Sequence, residues 1–367
     1  MTTWQDRVEA RCEAIDAAGQ WRSVRELDGC GPKFRLADGR DVVSFASNDY
    51  LGLTQHAAVK AATAEAVDRW GTGSGSARLI VGDRPIHRAL EAELAAWKGT
   101  ETALILPTGF TANLAVITTF ATDGVLVVSD ELNHASIIDG CRLSRGRVTI
   151  ARHGDVSHLR ELLAGQPPSI VVTDHVFSMD GDIAPLDELA AACRDHGSLL
   201  VIDEAHSVLE PAWCPPEGVD VVRVGTMSKT LGSLGGFVAG PRPFVELLVN
   251  TARSFIFTTA PTPPGTAAAL AALRVVRSAE GERLVARLRS LVDQVAPGHP
   301  SPIIPVVIGD ERDAVEASRR LLDDHGLLVP AIRPPTVAPG TSRLRIALSS
   351  AHTDDEIERL VKGLADL

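Results

Sequence analysis

Short runs of Val, Ile and Leu alternate with helix-like segments through the middle of this chain, between residues 86 and 240. Continuous apolar runs of this kind are typical of strands that are buried on both faces of a parallel sheet. Their alternation with helices predicts an α/β domain built on a mostly parallel sheet of seven strands. We predict helices at 86–97, 111–120, 157–164 and 187–196, and strands at 103–106, 125–128, 148–151, 170–173, 199–202, 221–224 and 236–239.

Two smaller parts flank this large domain, which we place at 51–265. The first, 1–50, is predicted to carry a surface helix and a small hairpin, and the second, 266–367, is predicted to be a smaller α/β domain. The residue patterns predict helices at 4–19, 56–70, 265–293, 312–324 and 353–365, a hairpin at 33–46, and strands near 303–308, 328–332 and 343–348.

The bulk properties of the chain argue against several classes of partner. With 367 residues and a formal net charge of −11, the chain has no basic field that would favour nucleic acid or an anionic membrane. Its five cysteines form no C-x-x-C pair and no His/Cys cluster, so we expect reduced thiols and no bound metal. The first residues lack the apolar core of a signal peptide, and the apolar runs are too short for a membrane span. We therefore expect a cytoplasmic protein.

A lysine and an aspartate each follow one of the predicted buried strands. Lys229 closes the run 222–229, and Asp203 comes directly after the strand at 199–202. Ligands of such sheets bind outside the carboxyl ends of the strands, and a carboxylate there is costly unless it is paired. In pyridoxal phosphate enzymes a lysine forms a Schiff base with the cofactor aldehyde, and an aspartate pairs with the pyridinium nitrogen. The two residues therefore predict a pyridoxal phosphate site.

Polar residues in neighbouring loops are candidates to complete that site. Gly109 lets the backbone turn sharply between a strand and a helix, so the first N–H groups of the helix face outward and can bind the cofactor phosphate, and Thr226 can add a hydroxyl. His134 has a flat ring that can stack on the cofactor, and Ser178 and His206 can reach a ring oxygen. Each residue alone has a simpler interpretation in helix capping or turn formation. The acid–His pair also occurs in hydrolases and metal sites, but no G-x-S-x-G motif or second ligand cluster accompanies it.

Three arginines of the C-terminal part are candidates to bind a carboxylate: Arg333, Arg343 and Arg345. In a strand, positions 343 and 345 point to the same face. The guanidinium group binds carboxylates in a bidentate manner. The sequence leaves open which of the three arginines meets a substrate.

Several ordered motifs give this chain a resemblance to a known family. They are S-N-D-Y-L-G-L at 47–53, H-R-A-L-E-A-E-L-A at 87–95, T-G-F-T-A-N at 108–113, N-H-A-S-I-I-D-G at 133–140, V-F-S-M-D-G-D at 176–182, D-E-A-H at 203–206, T-M-S-K at 226–229 and I-R-P-P-T-V-A-P-G-T-S-R-L-R-I-A-L-S at 332–349. Together they resemble the α-oxoamine synthases, which are fold-type-I pyridoxal phosphate transferases with an aspartate-aminotransferase-like fold. The last motif is most similar to the branch that makes 8-amino-7-oxononanoate in biotin synthesis.

The resemblance implies a role for each matching residue. Catalysis would fall to Lys229 as Schiff-base lysine and acid/base, to Asp203 at the pyridine nitrogen and to His134 on the ring. The cofactor would also contact Gly109, Phe110, Ser178, His206, Thr226 and, from the neighbouring subunit, Thr258. The substrate side would be lined by Arg22, Asn48, Arg333 and Arg345, with Arg345 on the amino-acid carboxylate.

The same resemblance implies an acyltransferase that acts on small molecules as a homodimer with shared active sites. L-alanine and pimeloyl-CoA, or pimeloyl carrier protein, would give 8-amino-7-oxononanoate, CoA and CO2. The chain departs from the family pattern at His175 and in the shortened loop after His206, so the acyl donor stays open. Alternatives are a sibling synthase such as glycine C-acetyltransferase or one serving a specialised metabolite, a generic aminotransferase, and a non-catalytic cofactor-binding regulator or scaffold.

Overall fold

The structure, a computed structural model, describes residues 2–166, 168–210 and 212–367. Its helices are α1 (Trp4–Ala17), α2 (Ala57–Trp70), α3 (Pro85–Lys98), α4 (Gly109–Phe120), α5 (Ala135–Leu143), α6 (Val156–Leu163), α7 (Leu186–His196), α8 (Arg242–Thr251), α9 (Arg253–Ile256), α10 (Pro263–Val276), α11 (Ala279–Val295), α12 (Glu311–His325) and α13 (Asp354–Ala365). Its strands are β1 (Leu27–Cys30), β2 (Lys33–Leu36), β3 (Asp41–Ser44), β4 (Thr102–Leu106), β5 (Leu126–Asp130), β6 (Arg147–Ala151), β7 (Ser169–Asp174), β8 (Leu199–Asp203), β9 (Val221–Thr226), β10 (Gly236–Gly240), β11 (Ile303–Gly309), β12 (Leu327–Leu328), β13 (Ala331–Ile332) and β14 (Ser342–Ala347). Among the described residues, no helix is both long and apolar enough to cross a membrane.

Seven strands form the central sheet, in the order β4-β10-β9-β8-β7-β5-β6. The run from β9 to β6 is parallel, whereas β10 lies antiparallel between β4 and β9. Apolar side chains pack against helices on both faces, and the inner strands are buried almost throughout because each is a continuous apolar run. The predicted α/β fold with its mostly parallel seven-stranded sheet is confirmed.

The carboxyl ends of the parallel strands bring polar loops to one edge of the sheet. Asp174 at the end of β7 lies directly beside Asp203 at the end of β8 in the strand register. β9 ends at Thr226, and α4 begins at Gly109 because the side chain of Thr108 caps its first turn. Apart from Thr258, the predicted site residues of the large domain therefore gather at this edge.

Two smaller sheets have the orders β1-β2-β3-β12 and β11-β14-β13. The predicted hairpin is formed by β2 and β3, and Gly39 in its turn has a φ of 88°, which favours glycine. β1 extends the hairpin by one strand that the sequence pattern did not reveal. β12 pairs in parallel with β3, so the N-terminal segment and the C-terminal part share one sheet.

Two predicted elements of the C-terminal part were wrong. The single helix predicted at 265–293 is two helices, α10 and α11, and Ser278 caps the second by accepting a hydrogen bond from the N–H of Glu280. Gly281 packs so closely that a Cβ there would lie 2.2 Å from the carbonyl oxygen of Val276. The strand predicted near 328–332 is divided into β12 and β13, because Pro330 between them has no N–H to donate.

Candidate active site

Asp203 ends strand β8 with a buried carboxylate. Its Oδ2 accepts a hydrogen bond from Nδ2 of Asn113 at 2.6 Å, and its Oδ1 accepts one from the N–H of Ala205 at 2.9 Å. Asn113 lies one turn into α4, and its amide also donates to Oγ of Ser136 at 2.8 Å. A carboxylate offers about four acceptor positions, so Asp203 keeps the capacity to accept a further hydrogen bond from a protonated ring nitrogen.

His134 caps helix α5 next to this cluster. The backbone N–H of His134 donates to Oδ2 of Asp174 at 2.8 Å. The ring Nδ1 of His134 accepts from the backbone N–H of Ser136 at 3.2 Å. Burial lowers the pKa of His134; the Asp203 carboxylate opposes this effect and Lys229 adds to it. The imidazole is therefore neutral at pH 7, with Nδ1 as acceptor and the proton on Nε2.

A series of hydrogen bonds runs from Lys229 through three side chains to Arg345. Nζ of Lys229 lies 2.8 Å from Nε2 of His206, and Nδ1 of His206 lies 2.6 Å from the hydroxyl of Tyr50. The Tyr50 hydroxyl donates to Oδ1 of Asn48 at 3.1 Å, and the same oxygen accepts from Arg345 at 3.2 Å. An ammonium group on Lys229 can only donate, so Nε2 of His206 accepts from it. The proton of the neutral His206 ring then lies on Nδ1, which donates to the Tyr50 hydroxyl.

Burial lowers the pKa values of two basic groups in this hydrogen-bonded series, Lys229 and His206. Burial lowers the pKa of Lys229, and the Asp203 and Asp174 carboxylates partly offset it. The pKa of His206 falls well below its usual range, first through burial and then through the charge on Lys229. A lysine with a lowered pKa is more often a free amine at neutral pH, which is the form that attacks an aldehyde or removes a proton.

The start of α4 lies close to the end of β9. A Cβ added to Gly109 would be 3.2 Å from Cβ of Thr226, so this approach depends on the missing side chain at position 109. Oγ1 of Thr226 lies 2.7 Å from Oγ of Ser228. The N–H groups of Gly109 and Phe110 belong to the first helical turn, where no intrahelical acceptor exists. These N–H groups and hydroxyls form a cradle of the kind that binds phosphate.

Arg345 connects strand β14 to the candidate site. Its Nε donates to the carbonyl oxygen of Ser178 at 2.5 Å, and its Nη2 donates to Oδ1 of Asn48. Arg343, two residues earlier, instead forms an ion pair with Asp180. The structure therefore distinguishes two arginines that the sequence could not separate, and Arg345 is the one that lies at the site.

Three other predicted residues form no hydrogen bond with this cluster in the part of the chain that the structure describes. Arg333 donates to the carbonyl oxygen of Gly19 at 2.5 Å, and Arg22 is exposed in the segment that follows α1. Thr258 is half-buried after α9, and no hydrogen bond in the described part of the chain joins it to Lys229. These three predicted roles remain predictions.

The sequence reasoning missed three residues that hold the site together: Tyr50, Asn113 and Asp174. Asn113 lies four residues after Gly109, a spacing that places both on one face of a helix. Asp174 directly follows its buried strand in the same way as Asp203, so the same signal could have found it. Tyr50 could not be found this way, because its partner His206 comes from a distant part of the chain.

The residues at this edge fit pyridoxal phosphate. Such a cofactor needs an amine for its aldehyde, a carboxylate for its ring nitrogen and a phosphate cradle. Lys229, Asp203 and the approach of Gly109 to Thr226 supply these three groups at one edge of one sheet. Within the described residues, no group of three or more His, Cys, Asp or Glu side chains is arranged to hold a metal ion.

The model of the aminotransferase class I and II family matches residues 40–364. The chain belongs to this family. It is 47% identical over 384 residues to the 8-amino-7-oxononanoate synthase of Anaeromyxobacter dehalogenans. The alignment covers 98% of this chain and 95% of that protein. It is 44% identical to the 8-amino-7-oxononanoate synthase of Geobacter sulfurreducens, with coverage of 98% and 97%.

Solved structures share the architecture. Serine palmitoyltransferase of Sphingomonas wittichii has a TM-score of 0.89 at 32% identity, covering 98% of this chain and 96% of that one. SPT with a PLP internal aldimine has a TM-score of 0.90 at 30% identity, with the same coverage. The 8-amino-7-oxononanoate synthase of Francisella tularensis has a TM-score of 0.75 at 26% identity, covering 89% and 97%. The resemblance to α-oxoamine synthases that the motifs predict is confirmed.

Proposed function

We propose that this protein is a pyridoxal-phosphate-dependent enzyme of biotin synthesis. It condenses L-alanine with pimeloyl-CoA, or with pimeloyl carrier protein, to give 8-amino-7-oxononanoate, CoA and CO2. One observation carries the proposal: Lys229, His206, Asp203 and His134 meet at one sheet edge, in a chain 47% identical to an 8-amino-7-oxononanoate synthase. The fold alone would not suffice, because one fold serves many reactions.

The residues of the site would hold the cofactor at three points. Nζ of Lys229 would hold the aldehyde carbon, and the Asp203 carboxylate would hold the ring nitrogen. The N–H groups of Gly109 and Phe110, with the hydroxyl of Thr226, would hold the phosphate. Pyridoxal phosphate, when bound, supplies a ring that withdraws electrons from the α-carbon of the amino acid.

Lys229 acts as the base that removes the α-proton of alanine. Its lowered pKa increases the fraction of free amine at neutral pH. The ring of His206 stays neutral and offers Nε2 as an acceptor 2.8 Å from Nζ, so the ammonium that forms keeps its position. Arg345 binds the alanine carboxylate, since its guanidinium lies beside Asn48 and Ser178 at this edge.

His134 assists the acyl transfer. Because its Nδ1 accepts from the N–H of Ser136, the proton on Nε2 is free to donate to the thioester carbonyl oxygen. The α-carbon of alanine replaces the sulfur on that carbonyl carbon, and CoA leaves with its thiol proton. The resulting β-keto acid then loses the carboxylate as CO2, and the α-carbon takes up a proton.

We also propose a homodimer with shared active sites. Phe257 and Ile80 are 70% and 74% exposed, and large exposed apolar side chains are typical of association surfaces. Thr258 follows Phe257, so a second chain that covers this surface would carry Thr258 towards the phosphate cradle of its partner. We place the enzyme in the cytoplasm, in keeping with five cysteines that form no disulfide.

Thiol release by the purified, cofactor-loaded protein tests the proposal. Pimeloyl-CoA with L-alanine is compared with acetyl-CoA with glycine, and a Lys229→Ala variant serves as the blank. We expect release with the first pair, loss of that release in the variant, and a product with the mass of 8-amino-7-oxononanoate. Release with acetyl-CoA and glycine alone would assign the protein to the glycine C-acetyltransferase branch instead. No release with either pair would exclude both substrate assignments.

A further inference from the structure

His206 lies in a tight turn at the carboxyl end of β8. The N–H of Ser207 closes this turn by donating to the carbonyl oxygen of Glu204 at 3.1 Å. His206 is the third residue of the turn, and its ring reaches Nζ of Lys229. The direction of the His206 ring therefore depends on whatever holds the turn in place.

Side chains from other elements hold this turn at both ends: Lys98 and Arg223 pair with Glu204 at its start, and His175 binds Ser207 at its end. Nδ1 of His175, the residue after β7, lies 2.8 Å from Oγ of Ser207. His175 is fixed through its backbone, because its N–H donates to the carbonyl oxygen of Asp203 and its carbonyl oxygen accepts from the N–H of Ala184. Burial lowers the pKa of His175, so its ring is neutral at pH 7. The hydrogen bond thus connects the turn to His175, whose backbone is held by Asp203 and Ala184.

Packing does not hold the turn on all sides, because a cavity of about 200 Å³ lies against it. Ser207, His175 and Thr230 are among the residues that line this cavity. Thr230, which directly follows Lys229, is only 7% exposed, and its hydroxyl has no hydrogen-bond partner among the described residues. Side chains that border empty space lose the contacts that would otherwise fix them. The bond between His175 and Ser207 therefore holds the end of the turn next to His206, where the packing is incomplete.

We propose that His175 and Ser207 are positioning residues of this enzyme, whose hydrogen bond directs His206 towards Lys229. They act through the turn and through His206, since neither belongs to the groups assigned to the cofactor or the substrates. This inference rests on the proposed function, because it gives the pair a part in placing the lysine that holds the cofactor.

Two substitutions at position 175 separate a hydrogen-bonding role from a space-filling one. His175→Asn keeps a polar atom near the place of Nδ1, whereas His175→Gln keeps one near the place of Nε2 and loses the partner of Ser207. Ser207→Ala removes the other end of the bond at little cost in volume. The readout is a pH titration of the absorbance of bound pyridoxal phosphate, recorded without substrates, together with kcat and KM for L-alanine.

We expect His175→Gln and Ser207→Ala to shift the titration midpoint by about half a pH unit or more. Both should lower kcat about fivefold and leave the KM for L-alanine within about twofold, because the carboxylate site is untouched. His175→Asn should stay close to the wild type. The double variant of His175→Gln and Ser207→Ala should behave like either single variant, since both remove one interaction.

Equal losses in the two position-175 variants, additive losses in the double variant, or an unmoved titration midpoint would each overturn the proposal. Because the titration uses no acyl donor, it reports on the pair even if the enzyme prefers a thioester other than pimeloyl. Failure of the positioning role and failure of the proposed reaction are therefore distinguishable.

Discussion

Nζ of Lys229 lies 2.8 Å from Nε2 of His206, in surroundings that lower the pKa of both groups. Burial is the largest cause of the lowered pKa of Lys229. His206→Ala would admit water beside the amine, so we expect the pKa of Lys229 to rise towards its usual value. The amine would then be more protonated at pH 7, and activity there would fall roughly 10- to 100-fold.

The pH dependence of kcat/KM checks this prediction. In the His206→Ala variant, the rising limb of the profile should move to higher pH, because the base must lose its proton before it can act. The exposed His196, replaced by Ala, is the control, and its profile should match the wild type. A uniform loss of activity with no movement of the limb would contradict the assigned role of His206.

Asp203→Asn tests the pairing of the carboxylate with the cofactor ring. The substitution keeps the shape of the side chain but removes the charge opposite the ring nitrogen. Losing one partner of a buried ion pair costs about 3 kcal/mol or more, so we expect kcat to fall at least about 100-fold. Cofactor affinity, measured by equilibrium dialysis, should fall as well. Asp195→Asn on the exposed end of α7 is the matched control and should retain both properties; wild-type turnover in Asp203→Asn would remove Asp203 from the mechanism.

Arg345 and Arg343 form a matched pair on strand β14. Arg345 lies beside Asn48 and Ser178, whereas Arg343 is paired with Asp180. Lysine cannot reproduce the two parallel hydrogen bonds of a guanidinium group. We therefore expect Arg345→Lys to raise the KM for L-alanine by about tenfold or more. Arg343→Lys should leave that KM near the wild-type value and lower stability instead; the reverse pattern would assign the carboxylate to Arg343.

The sequence predicted the central sheet and much of the candidate site for one physical reason. Continuous apolar runs mark buried strands, and polar residues directly after such runs must meet at the carboxyl edge of a parallel sheet. Lys229, Asp203 and His134 follow from this pattern. The division between α10 and α11 did not, because it depends on the cap at Ser278 and on the close packing of Gly281.

Long-range hydrogen bonds were also beyond reach of the sequence pattern. Tyr50 meets His206 across 156 positions of the chain, and Arg345 meets Ser178 across 167. Periodicity reports only which face of an element a residue occupies, so it cannot identify a partner that another part of the chain supplies. The residue pattern left the choice between Arg343 and Arg345 open for this reason, because alternate residues of a strand point to the same face.

His153 gives the protein a stability that depends on pH. Its Nδ1 lies 3.0 Å from Oδ1 of Asp130, and its Nε2 lies 2.7 Å from Oδ2 of Asp182. The hydrogen bonds to Asp130 and Asp182 raise the pKa of His153 from 6.5 to about 10. A folded-state pKa above the unfolded value stabilises the fold fully below pH 6.5, and this stabilisation is lost as pH rises towards 10.

His153→Gln should therefore lower the free energy of unfolding most at pH 6. We expect a difference of about 1 kcal/mol there, a modest value because the carboxylate of Asp182 is partly exposed to solvent. The difference from the wild type should shrink steadily between pH 6.5 and 10. Urea unfolding of the cofactor-loaded protein at several pH values measures it, with the exposed His196→Gln as a control that should show no such trend. A difference that stays constant or grows with pH would show that His153 does not bind its two aspartates as a cation.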